Sequence, residues 1–382
     1  MRDVKLLDYL LGALLVGIAL LPLPEVGFPL DNLVVAALVG LGLLRHPQHR
    51  LGRYELLVPL CIAALFFLGV HSMFAVASPG AADWQTRLLR FAAIAMLVLV
   101  TGTGRIDARS VVFGIATTLL LNVPLFYAGL VPAPYGGYLT GLVGDKNVAG
   151  LAYAVIGLLV MLYVRSTPWR VTWGLVFGAC LWLTGSRTSI TAFGAAILWA
   201  LLAPRLPVLG RWVLGLVIAV VVNLLSEDYS QVGVFSDREG SDLLRARIDA
   251  ASEVKVREVG FWGKGLGEAF VELQGRSWFF HNSYWSALVE GGWPWLVVVV
   301  GVTVLIIVRP FTRQASVRQY FIQGVGVALL ICAWRLGEVF MTPYWALALG
   351  IALQQLIATT PHIAAHGGGT PGGVRHEGEV RT

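Results

Sequence analysis

The sequence predicts an all-α integral membrane protein with about twelve transmembrane helices and one long external loop that is partly helical. Of the 382 residues, 57% are hydrophobic and only 13% are charged, which is far from the composition of a water-soluble domain. Apolar runs of about 20 residues, the length that an α-helix needs to cross a bilayer, recur along the chain. Alternating segments of about ten residues, which would indicate a transmembrane β-barrel, are not seen.

The predicted spans begin with an apolar run that follows Arg2 and Lys5. A signal peptide has the same flank, but no small-residue cleavage site comes after this run, so we predict a helix. Each later span is bounded by a polar connection or by glycine and proline. In chain order, the twelve spans are 6–22, 30–44, 56–76, 88–102, 110–130, 147–164, 170–185, 187–203, 210–226, 284–308, 319–337 and 340–358.

These spans divide the chain into four parts. We expect residues 1–226 to hold the first nine transmembrane helices, 227–283 to form the external loop, and 284–358 to hold the last three helices. The remaining residues, 359–382, are rich in glycine and polar side chains, which is typical of a disordered tail.

Lysine and arginine indicate the orientation of the helices, because cytoplasmic connections retain basic residues. If the N-terminus is inside, every inner connection carries at least two of them, for example Arg105 and Arg109 before the fifth span. We therefore expect a multi-pass protein with both termini, and hence the tail, in the cytoplasm.

The basic residues on the outer side need a separate explanation. Seven lie in the external loop, where a long translocated segment tolerates them. Five others lie at or just inside the outer ends of spans, where a charge is costly and is usually paired or functional. These five are Arg87, Arg90, Lys146, Arg187 and Arg335. Near the same ends, Glu290 and Glu338 are candidates to pair with Arg335 or with other arginines of the bundle.

One segment of the external loop has helical periodicity, ARIDAASEVKVREV at 246–259. Ile248, Ala251 and Val254 form an apolar stripe, and Arg247 and Lys255 lie on other faces, as in an amphipathic helix. Such a helix either contributes to a functional site or only caps the bundle, and the sequence leaves both possibilities open.

Only two of the seven histidines, His71 and His281, fall on the outer side. His281 stands in WFFHNSYW, where a polar loop turns into a hydrophobic helix. An imidazole titrates near neutrality and can take a proton from a reacting hydroxyl. His281 is therefore the first candidate for a base, with Asn282 and Ser283 available to fix its ring by hydrogen bonds. The alternative is an amphipathic residue at the membrane interface.

Two outer helix starts carry further candidates. In TGSRTS, Ser186 and Arg187 bring a hydroxyl and a planar guanidinium that suits a phosphate. In GDKNVAG, Asp145, Lys146 and Asn147 begin a helix whose free N–H groups favour an anion or a sugar. Both have a structural alternative, in which the short polar residues are helix N-caps and Arg187 extends toward lipid head groups.

Two weaker patterns lie in the external loop. The glycines of GFWGKGLG, at 260–267, would let the backbone approach a ligand, but the string lacks the spacing and the preceding strand of a phosphate-binding loop. Asp237 and Glu239 are the nearest candidates for an outer metal site, although carboxylates in a polar loop are commonly just solvated. No nucleic-acid-binding motif is visible.

Taken in order, these motifs resemble the O-antigen ligase family of bacterial membrane glycosyltransferases, which includes O-antigen polymerases and protein O-oligosaccharyltransferases. The resemblance covers about residues 140–345 and rests on DKNVAG, TGSRTS, a long external loop with Arg245 some fifteen residues before GFWGKG, HNSYWSALVEGG and LGEVF. The chain departs from the family pattern at three positions. The family usually has proline where Gly260 stands, and it commonly has proline where Lys146 stands. At the position of Asp249 it often has an aromatic residue.

The resemblance implies a GT-C-like fold and a metal-independent, inverting transfer at the outer face of the cell inner (cytoplasmic) membrane, with no cofactor. The donor would be a glycan on undecaprenyl pyrophosphate, and the acceptor a hydroxyl of a glycan, a lipid or a protein. His281 would be the base, and Arg187 and Arg245 would hold the pyrophosphate and neutralise the charge that develops on it.

We also expect polar and aromatic residues at the outer helix ends to contact the substrate, some from the resemblance and others, such as Arg87 and Arg90, from their charge at those ends. The assigned residues are Arg87, Arg90, Lys146, Asn147, Ser186, Arg247, Asn282, Tyr284 and Glu338. An aromatic rim around His281 would stack on sugar rings or on the isoprenoid, or it is an ordinary interfacial belt. This rim consists of Trp278, Phe279, Phe280, Tyr284 and Trp285.

Other functions stay open. A polymerase of the same superfamily uses the same donor, and we prefer a ligase on the pattern around HNSY. A lipid or solute transporter would also have many helices and intramembrane arginines, but a long external segment that ends in a histidine is unusual there. A purely structural membrane protein is the third alternative.

Overall fold

The structure, a computed structural model, describes residues 5–17, 30–228, 239–312 and 316–359. In this part of the chain, a helix lies at each of the twelve predicted positions, and one more lies in the external loop. The helices are α1 (Leu6–Gly17), α2 (Leu30–Leu44), α3 (Leu57–Phe74), α4 (Trp84–Gly102), α5 (Ala108–Tyr127), α6 (Lys146–Tyr163), α7 (Thr167–Thr184), α8 (Arg187–Leu202), α9 (Val208–Asp228), α10 (Glu239–Arg257), α11 (Ser283–Val302), α12 (Val317–Arg335) and α13 (Pro343–Thr359).

Two strands, β1 (Phe270–Leu273) and β2 (Arg276–Phe279), form an antiparallel hairpin, and α11 continues as a π-helix at Thr303–Val308. Three predictions fall outside the described residues. They concern the end of the first span, the tail at 360–382, and the candidate metal ligands Asp237 and the side chain of Glu239.

Six helical stretches of the described chain are long and apolar enough to cross a membrane. They are Gly52–Phe74, Trp84–Gly102, Ala108–Tyr127, Lys146–Tyr163, Arg187–Arg205 and Ser283–Val308. Four shorter apolar helices accompany them: Leu6–Gly17, Leu30–Leu44, Val208–Leu224 and Pro343–Ala358. The predicted all-α class is therefore confirmed, and six helices qualify as spans by length and composition where the sequence predicts about twelve.

The helices differ in how deeply they are buried. Every residue of α6 from Ala149 to Leu162 is buried, because this helix contacts α5, α7, α8, α12 and α13. Helices that are distant in sequence also pack together, namely α1 with α5, α4 with α13, and α8 with α12. The helix α3 instead turns apolar side chains such as Phe66 outward, as a helix does when it faces lipid hydrocarbon.

Short polar side chains decide where several helices begin. Asp83 accepts a hydrogen bond from a backbone N–H of the first turn of α4 at 2.8 Å, and Asp145 and Asn282 do the same for α6 and α11. Such caps satisfy N–H groups that have no partner inside the helix. Because of Asp83, α4 begins about one turn earlier than predicted, which places Arg87 and Arg90 on one helix face.

Residues 239–282, here named the cap segment, lie on one end of the bundle, here named the cap end. The segment consists of α10, the hairpin of β1 and β2, and their connections. Ile248 of α10, Val271 of β1 and Phe280 are buried against Val289 of α11. The cap segment is therefore joined to a candidate membrane helix by a small apolar core of its own.

The amphipathic helix predicted in the loop exists as α10, but its buried face differs from the prediction. Ile248 is buried and Ala251 is half-buried, whereas Val254 is 58% exposed and Ser252 is buried. Lys255, which was assigned to another face, points inward with its side chain 16% exposed. The predicted stripe follows residues three apart, from Ile248 to Val254. The buried face instead follows residues four apart, from Ile248 to Ser252, which also lie one above the other on a helix.

Glu268 fastens the cap segment to the connection between α3 and α4. Its carboxylate accepts hydrogen bonds from Ser78 N at 2.6 Å, Ser78 Oγ at 2.8 Å and Lys255 Nζ at 3.1 Å. Burial raises the pKa of Glu268, but the hydrogen bonds from Ser78 and the charge of Lys255 together lower this pKa by more, so that it lies below its ordinary value. The carboxylate is thus held in its ionised form.

The glycine-rich turn of the cap segment packs against a kink in α11. Gly291 and Gly292 leave the helical backbone, and Gly292 has a φ of 66°, which glycine adopts far more readily than other residues. A Cβ atom on Gly263 would lie 2.6 Å from Gly292 N, and Trp293 N donates a hydrogen bond to Phe261 O at 2.9 Å. Gly263 therefore serves contact between two backbones, whereas the sequence suggested an approach to a ligand.

We expect the Glu268→Gln variant to loosen the cap segment at pH 7 by about 1–3 kcal/mol, because the amide loses the charge-assisted bonds. The lowered pKa means that the ionised carboxylate stabilises the fold above the ordinary glutamate value of 4.5 and that this contribution is lost as the pH falls below it. Wild type and variant should therefore differ in thermal unfolding at pH 7 and converge as the pH falls below 4.5. The control is Glu253→Gln, which removes an exposed ion pair of α10; an equal effect of both changes would contradict the assignment.

Candidate active site

A cavity of about 590 Å³ lies at the cap end, between the cap segment and the helix bundle. Its wall combines the starts of α4, α6 and α11, the strand β2, and the connection between α12 and α13. Of the residues singled out in the sequence, it is lined by Arg87, Arg90, Asp145, Asn147, Trp278, Phe279, Phe280, His281, Glu290 and Glu338. The fold thus brings together motifs that are far apart in the chain.

Two arginines and two glutamates form a chain of ion pairs along one wall. Arg87 lies between Glu290, at 2.6 Å from Nε to Oε1, and Glu338, at 2.9 Å from Nη1 to Oε1. Arg90, one turn further along α4, contacts Glu338 Oε2 at 2.7 Å. Glu290 is buried and also accepts a hydrogen bond from Gly267 N at 3.0 Å. The predicted pairing of both glutamates with arginines of the bundle is confirmed.

These ion pairs determine the charge of the wall. A charge away from water is tolerated when an opposite charge lies beside it, and the pairing meets this condition. Burial raises the pKa of Glu338, but Arg87 and Arg90 lower this pKa by more, so Glu338 is ionised at neutral pH. The lining holds two guanidinium groups and three carboxylates, the third being that of Asp145. The wall therefore has no surplus of positive charge, and a bound anion depends on cations at the rim.

His281 faces Asp249 of α10, with 3.5 Å between Nδ1 and Oδ1. This is an ion-pair distance and not a hydrogen bond, because Nδ1 has no hydrogen-bond partner within the described chain, and both side chains are about one-third exposed. Because Nδ1 is directed at the carboxylate, Nε2 is the ring nitrogen that remains for proton transfer. Asp249 was not predicted as a site residue. Its only signal in the sequence is a carboxylate four residues after Arg245, where the family often has an aromatic side chain.

The three residues after His281 form hydrogen bonds with the start of α11 and with backbone groups of α12 and of the connection that follows it, and not with the imidazole. Asn282 Oδ1 accepts the backbone N–H of Tyr284 at 2.9 Å. Ser283 Oγ donates to one backbone group and accepts from another in the connection between α12 and α13, at 2.6 and 3.0 Å. The hydroxyl of Tyr284 donates to a backbone carbonyl of α12 at 2.9 Å. The hydrogen bonds predicted from Asn282 and Ser283 to the ring are therefore wrong, and Tyr284 points into the bundle.

The start of α6 places a tyrosine, a carboxylate and a lysine at the rim. Asp145 Oδ1 accepts the N–H of Asn147 at 2.7 Å, so Asp145 is an N-cap, while its Oδ2 accepts the hydroxyl of Tyr135 at 2.7 Å. The hydrogen bond to Asp145, with some burial, raises the pKa of Tyr135 to about 12. Lys146 Nζ lies 5.4 Å from the ring centre of Tyr135 and 5.9 Å from that of Tyr138, which is cation–π geometry.

The start of α8 lies beside the cavity and outside its lining. A Cβ atom on Gly150 would lie 2.6 Å from Ser186 Cβ, so α8 packs against α6 one turn after Asn147. Ser186 is buried and shares a hydrogen bond of 2.9 Å with Ser189. Arg187, the next residue, is half-buried. Ser186 is thus engaged within the protein, and Arg187 begins α8 directly after it.

The two predicted arginines of α10 differ in position. Arg245 is half-buried and donates a hydrogen bond from Nη2 to the carbonyl oxygen of Arg335 at the end of α12. This contact lies one helical turn from Asp249 and ties α10 to the connection that carries Glu338. Arg247 is exposed and does not belong to the lining of the cavity.

Of the predicted aromatic rim and the two histidines predicted on the outer side, only some residues line the cavity. Trp278, Phe279 and Phe280 all contribute to the lining of the cavity, but Phe280 is buried in the small core below the hairpin while the other two rings are more exposed. His71 stacks on Phe67 with 5.8 Å between ring centres at the end of α3, and it does not line the cavity. Of the two histidines predicted on the outer side, only His281 is thus placed for chemistry in this cavity.

Comparisons of the chain with protein-family models, with curated proteins and with solved structures return no match. The candidate function therefore depends on the order of the motifs and on the geometry of this cavity.

We expect Glu290→Gln to destabilise the protein by about 1–3 kcal/mol, because Arg87 loses one charge-assisted bond and keeps only its pair with Glu338. The double variant Arg87→Met/Glu290→Met should recover most of this loss, since it removes both charges and keeps the volume. Thermal unfolding in detergent measures both. Glu55→Gln, which changes an exposed carboxylate, is the control. A double variant that is less stable than Glu290→Gln would show that the network does not act as a charge pair.

Proposed function

We propose that this protein is a membrane glycosyltransferase of the O-antigen ligase type, which transfers a glycan from undecaprenyl pyrophosphate to an acceptor hydroxyl. The observation that carries the proposal is that His281, with Asp249 beside Nδ1, lies in one cavity with the starts of α4, α6 and α11. The starts of α6 and α11 carry two of the motifs that resemble the O-antigen ligase family, DKNVAG and HNSYWSALVEGG. A base beside several polar helix starts suits the transfer of a sugar to a hydroxyl.

The proposal includes an orientation in the membrane. With both termini in the cytoplasm, the cap end faces outward from the inner membrane. The four shorter apolar helices, together with α7 and α12, cross beside the six long ones in a GT-C-like arrangement of about twelve spans. Basic residues at the opposite end of the bundle support this orientation, for example Arg45, Arg50 and Arg53 between α2 and α3.

In the proposed reaction, the acceptor oxygen attacks the anomeric carbon while the bond from that carbon to the pyrophosphate oxygen breaks. The hydroxyl proton passes to His281 Nε2, and undecaprenyl pyrophosphate leaves with the bonding electrons. Asp249 favours the tautomer with a proton on Nδ1 and stabilises the imidazolium that forms. Attack from the face opposite the leaving group inverts the configuration. General-base catalysis of this kind contributes about 10²- to 10⁴-fold to the rate.

The leaving pyrophosphate needs cations, and the ion-paired wall does not supply a surplus. We assign the pyrophosphate to Lys146, Arg187 and Arg245, to which the family resemblance gives this role, and their charge would stabilise the breaking bond. Arg87 and Arg90, which are held by glutamates, are assigned to the shape of the wall and to hydrogen bonds with sugar hydroxyls.

The sugar and the acceptor would occupy the space above this wall. Trp278 and Phe279 offer ring faces to a pyranose, and Asn147 and Glu338 offer polar groups to its hydroxyls. The isoprenoid tail of the donor would stay in the bilayer. The acceptor distinguishes a ligase from a polymerase, because both classes use the same donor and differ in whether the receiving hydroxyl belongs to a distinct molecule or to another lipid-linked glycan.

We expect His281→Ala to lower kcat about 10²- to 10⁴-fold with a purified lipid-linked donor, because the proton acceptor is lost. Asp249→Asn keeps the shape and removes the charge, so it should lower kcat at least about ten-fold while leaving the KM for the donor nearly unchanged. His71→Ala is the matched control, since it removes the other outer histidine outside the cavity.

Each variant must first be shown to be folded and inserted by its thermal unfolding. Arg187→Ala, measured in the same assay, should lose most of the transfer, and a chelator should leave wild-type activity unchanged. Full activity of both His281→Ala and Arg187→Ala would overturn the mechanism. A loss of activity on chelation would instead indicate a metal-dependent reaction, with Asp237 and Glu239 as the candidate metal ligands.

The product decides between the two kinds of transferase. When the wild-type protein is supplied with labelled lipid-linked repeat units and a candidate acceptor, we expect a single transfer of label to the distinct acceptor, resolved by gel electrophoresis. A ladder of lengths on the lipid carrier would instead identify a polymerase.

A further inference from the structure

A second and larger cavity, of about 990 Å³, lies at the end of the bundle opposite the cap end. It is bounded by the starts of α5, α7 and α12 and by the ends of α6 and α13. Four arginines line it: Arg109, Arg165, Arg170 and Arg318. Within the described chain, Asp107 is the only carboxylate in this lining. We name this space the arginine cavity.

The carboxylate of Asp107 is engaged elsewhere. It caps α5 by accepting the backbone N–H of Ser110 at 3.1 Å and the hydroxyl of the same residue. Among the residues that the structure describes, none of the four arginines forms an ion pair with an acidic side chain. The arginine cavity therefore holds positive charge that these residues do not neutralise.

Three of the guanidinium groups lie over aromatic rings. The distances from guanidinium carbon to ring centre are 5.5 Å for Arg109 over Phe113, 5.3 Å for Arg170 over Phe321 and 5.4 Å for Arg318 over Tyr163. Such contacts hold a guanidinium in place without removing its charge. In the described part of the chain, Arg109 Nε is moreover out of contact with water and has no hydrogen-bond acceptor. A donor in that state normally has a partner.

The helix backbones add to the same positive potential. Arg109, Arg170 and Arg318 lie in the first turns of α5, α7 and α12, and the N-terminus of a helix carries a partial positive charge that disfavours cations. A general preference for basic residues at the cytoplasmic end explains why arginines occur here. It does not explain why they converge, with three helix starts, around one cavity.

The chemistry of the remaining wall narrows the class of ligand. Phe113, Leu162 and Val164 give the arginine cavity an apolar side next to the arginines, and α5 and α6, which supply them, are candidate membrane spans. An amphiphile fits both parts of this wall. Its phosphate groups would contact the arginines at the helix ends, and its hydrocarbon would lie against the apolar residues along the helices. Guanidinium groups bind phosphate oxygens in pairs, so four arginines suit two phosphates.

We propose that the arginine cavity binds the head group of an anionic membrane lipid that carries two phosphates. Basic pockets between transmembrane helices on the cytoplasmic side have this use in other membrane proteins. The site is separate from the cavity of His281, and its occupancy would stabilise the convergence of α5, α7 and α12.

The test is native mass spectrometry of the full-length protein titrated with diphosphatidylglycerol, phosphatidylglycerol and inorganic pyrophosphate in turn. We expect the two-phosphate lipid to bind most tightly, and the Arg109→Gln/Arg318→Gln variant to weaken its binding about 10- to 100-fold. Arg53→Gln is the matched control, because Arg53 is an exposed arginine that lies over Tyr54 outside the cavity. It should change binding less than two-fold.

A measurement on the wild-type protein keeps the proposal testable if the double variant does not fold. A photoreactive diphosphatidylglycerol should label peptides from the starts of α5, α7 and α12. Equal binding by wild type and double variant, or labelling confined to other helices, would overturn the proposal. Pyrophosphate that binds as tightly as the lipid would overturn the assignment to a membrane lipid in favour of a soluble phosphate compound.

Discussion

The arrangement of the cap end depends on one electrostatic constraint, that the charge of Arg87 cannot be removed from water without carboxylates on both sides. Its two partners come from different places, Glu290 from α11 and Glu338 from the connection between α12 and α13. Because Glu290 also binds the backbone of Gly267, the same ion pairs fix α4, α11, the cap segment and that connection relative to one another. A fold that paired these charges differently would separate the walls of the cavity.

The position of His281 follows from the same contacts. The connection that carries Glu338 passes so close to the cap segment that a Cβ atom on Gly337 would lie 1.9 Å from Phe280 O. From the other side, α10 brings Asp249 to the imidazole, and its Arg245 is bonded to the end of α12. His281 is therefore positioned by backbone contacts and by the carboxylate of Asp249, which is distant in sequence. The polar residues that directly follow His281 do not position it.

Apolar runs and the polar residues that bound them were sufficient to locate the helices, because the length of an apolar run and the capping of a helix are local properties of a sequence. Charge at the predicted helix ends also singled out His281, Arg87, Arg90 and Glu338, which line the same cavity. Pairings between distant segments could not be predicted, because periodicity does not state which helix meets which. For this reason the contact of Asp249 with His281 was missed, and α10 was given the wrong buried residue at Val254. The hairpin of β1 and β2 was missed because its strands are only four residues long.

The kink at Gly291 and Gly292 has a mechanical consequence. Two non-helical residues interrupt the backbone ladder of α11, so the two turns before the kink need not share the direction of the rest of the helix. The cap segment contacts α11 on both sides of this interruption, at Val289 through Phe280 and at Trp293 through the carbonyl oxygen of Phe261. The cap segment therefore clamps the kink, and the direction of the helix start beside His281 is set by this clamp and not by the axis of the remainder of α11.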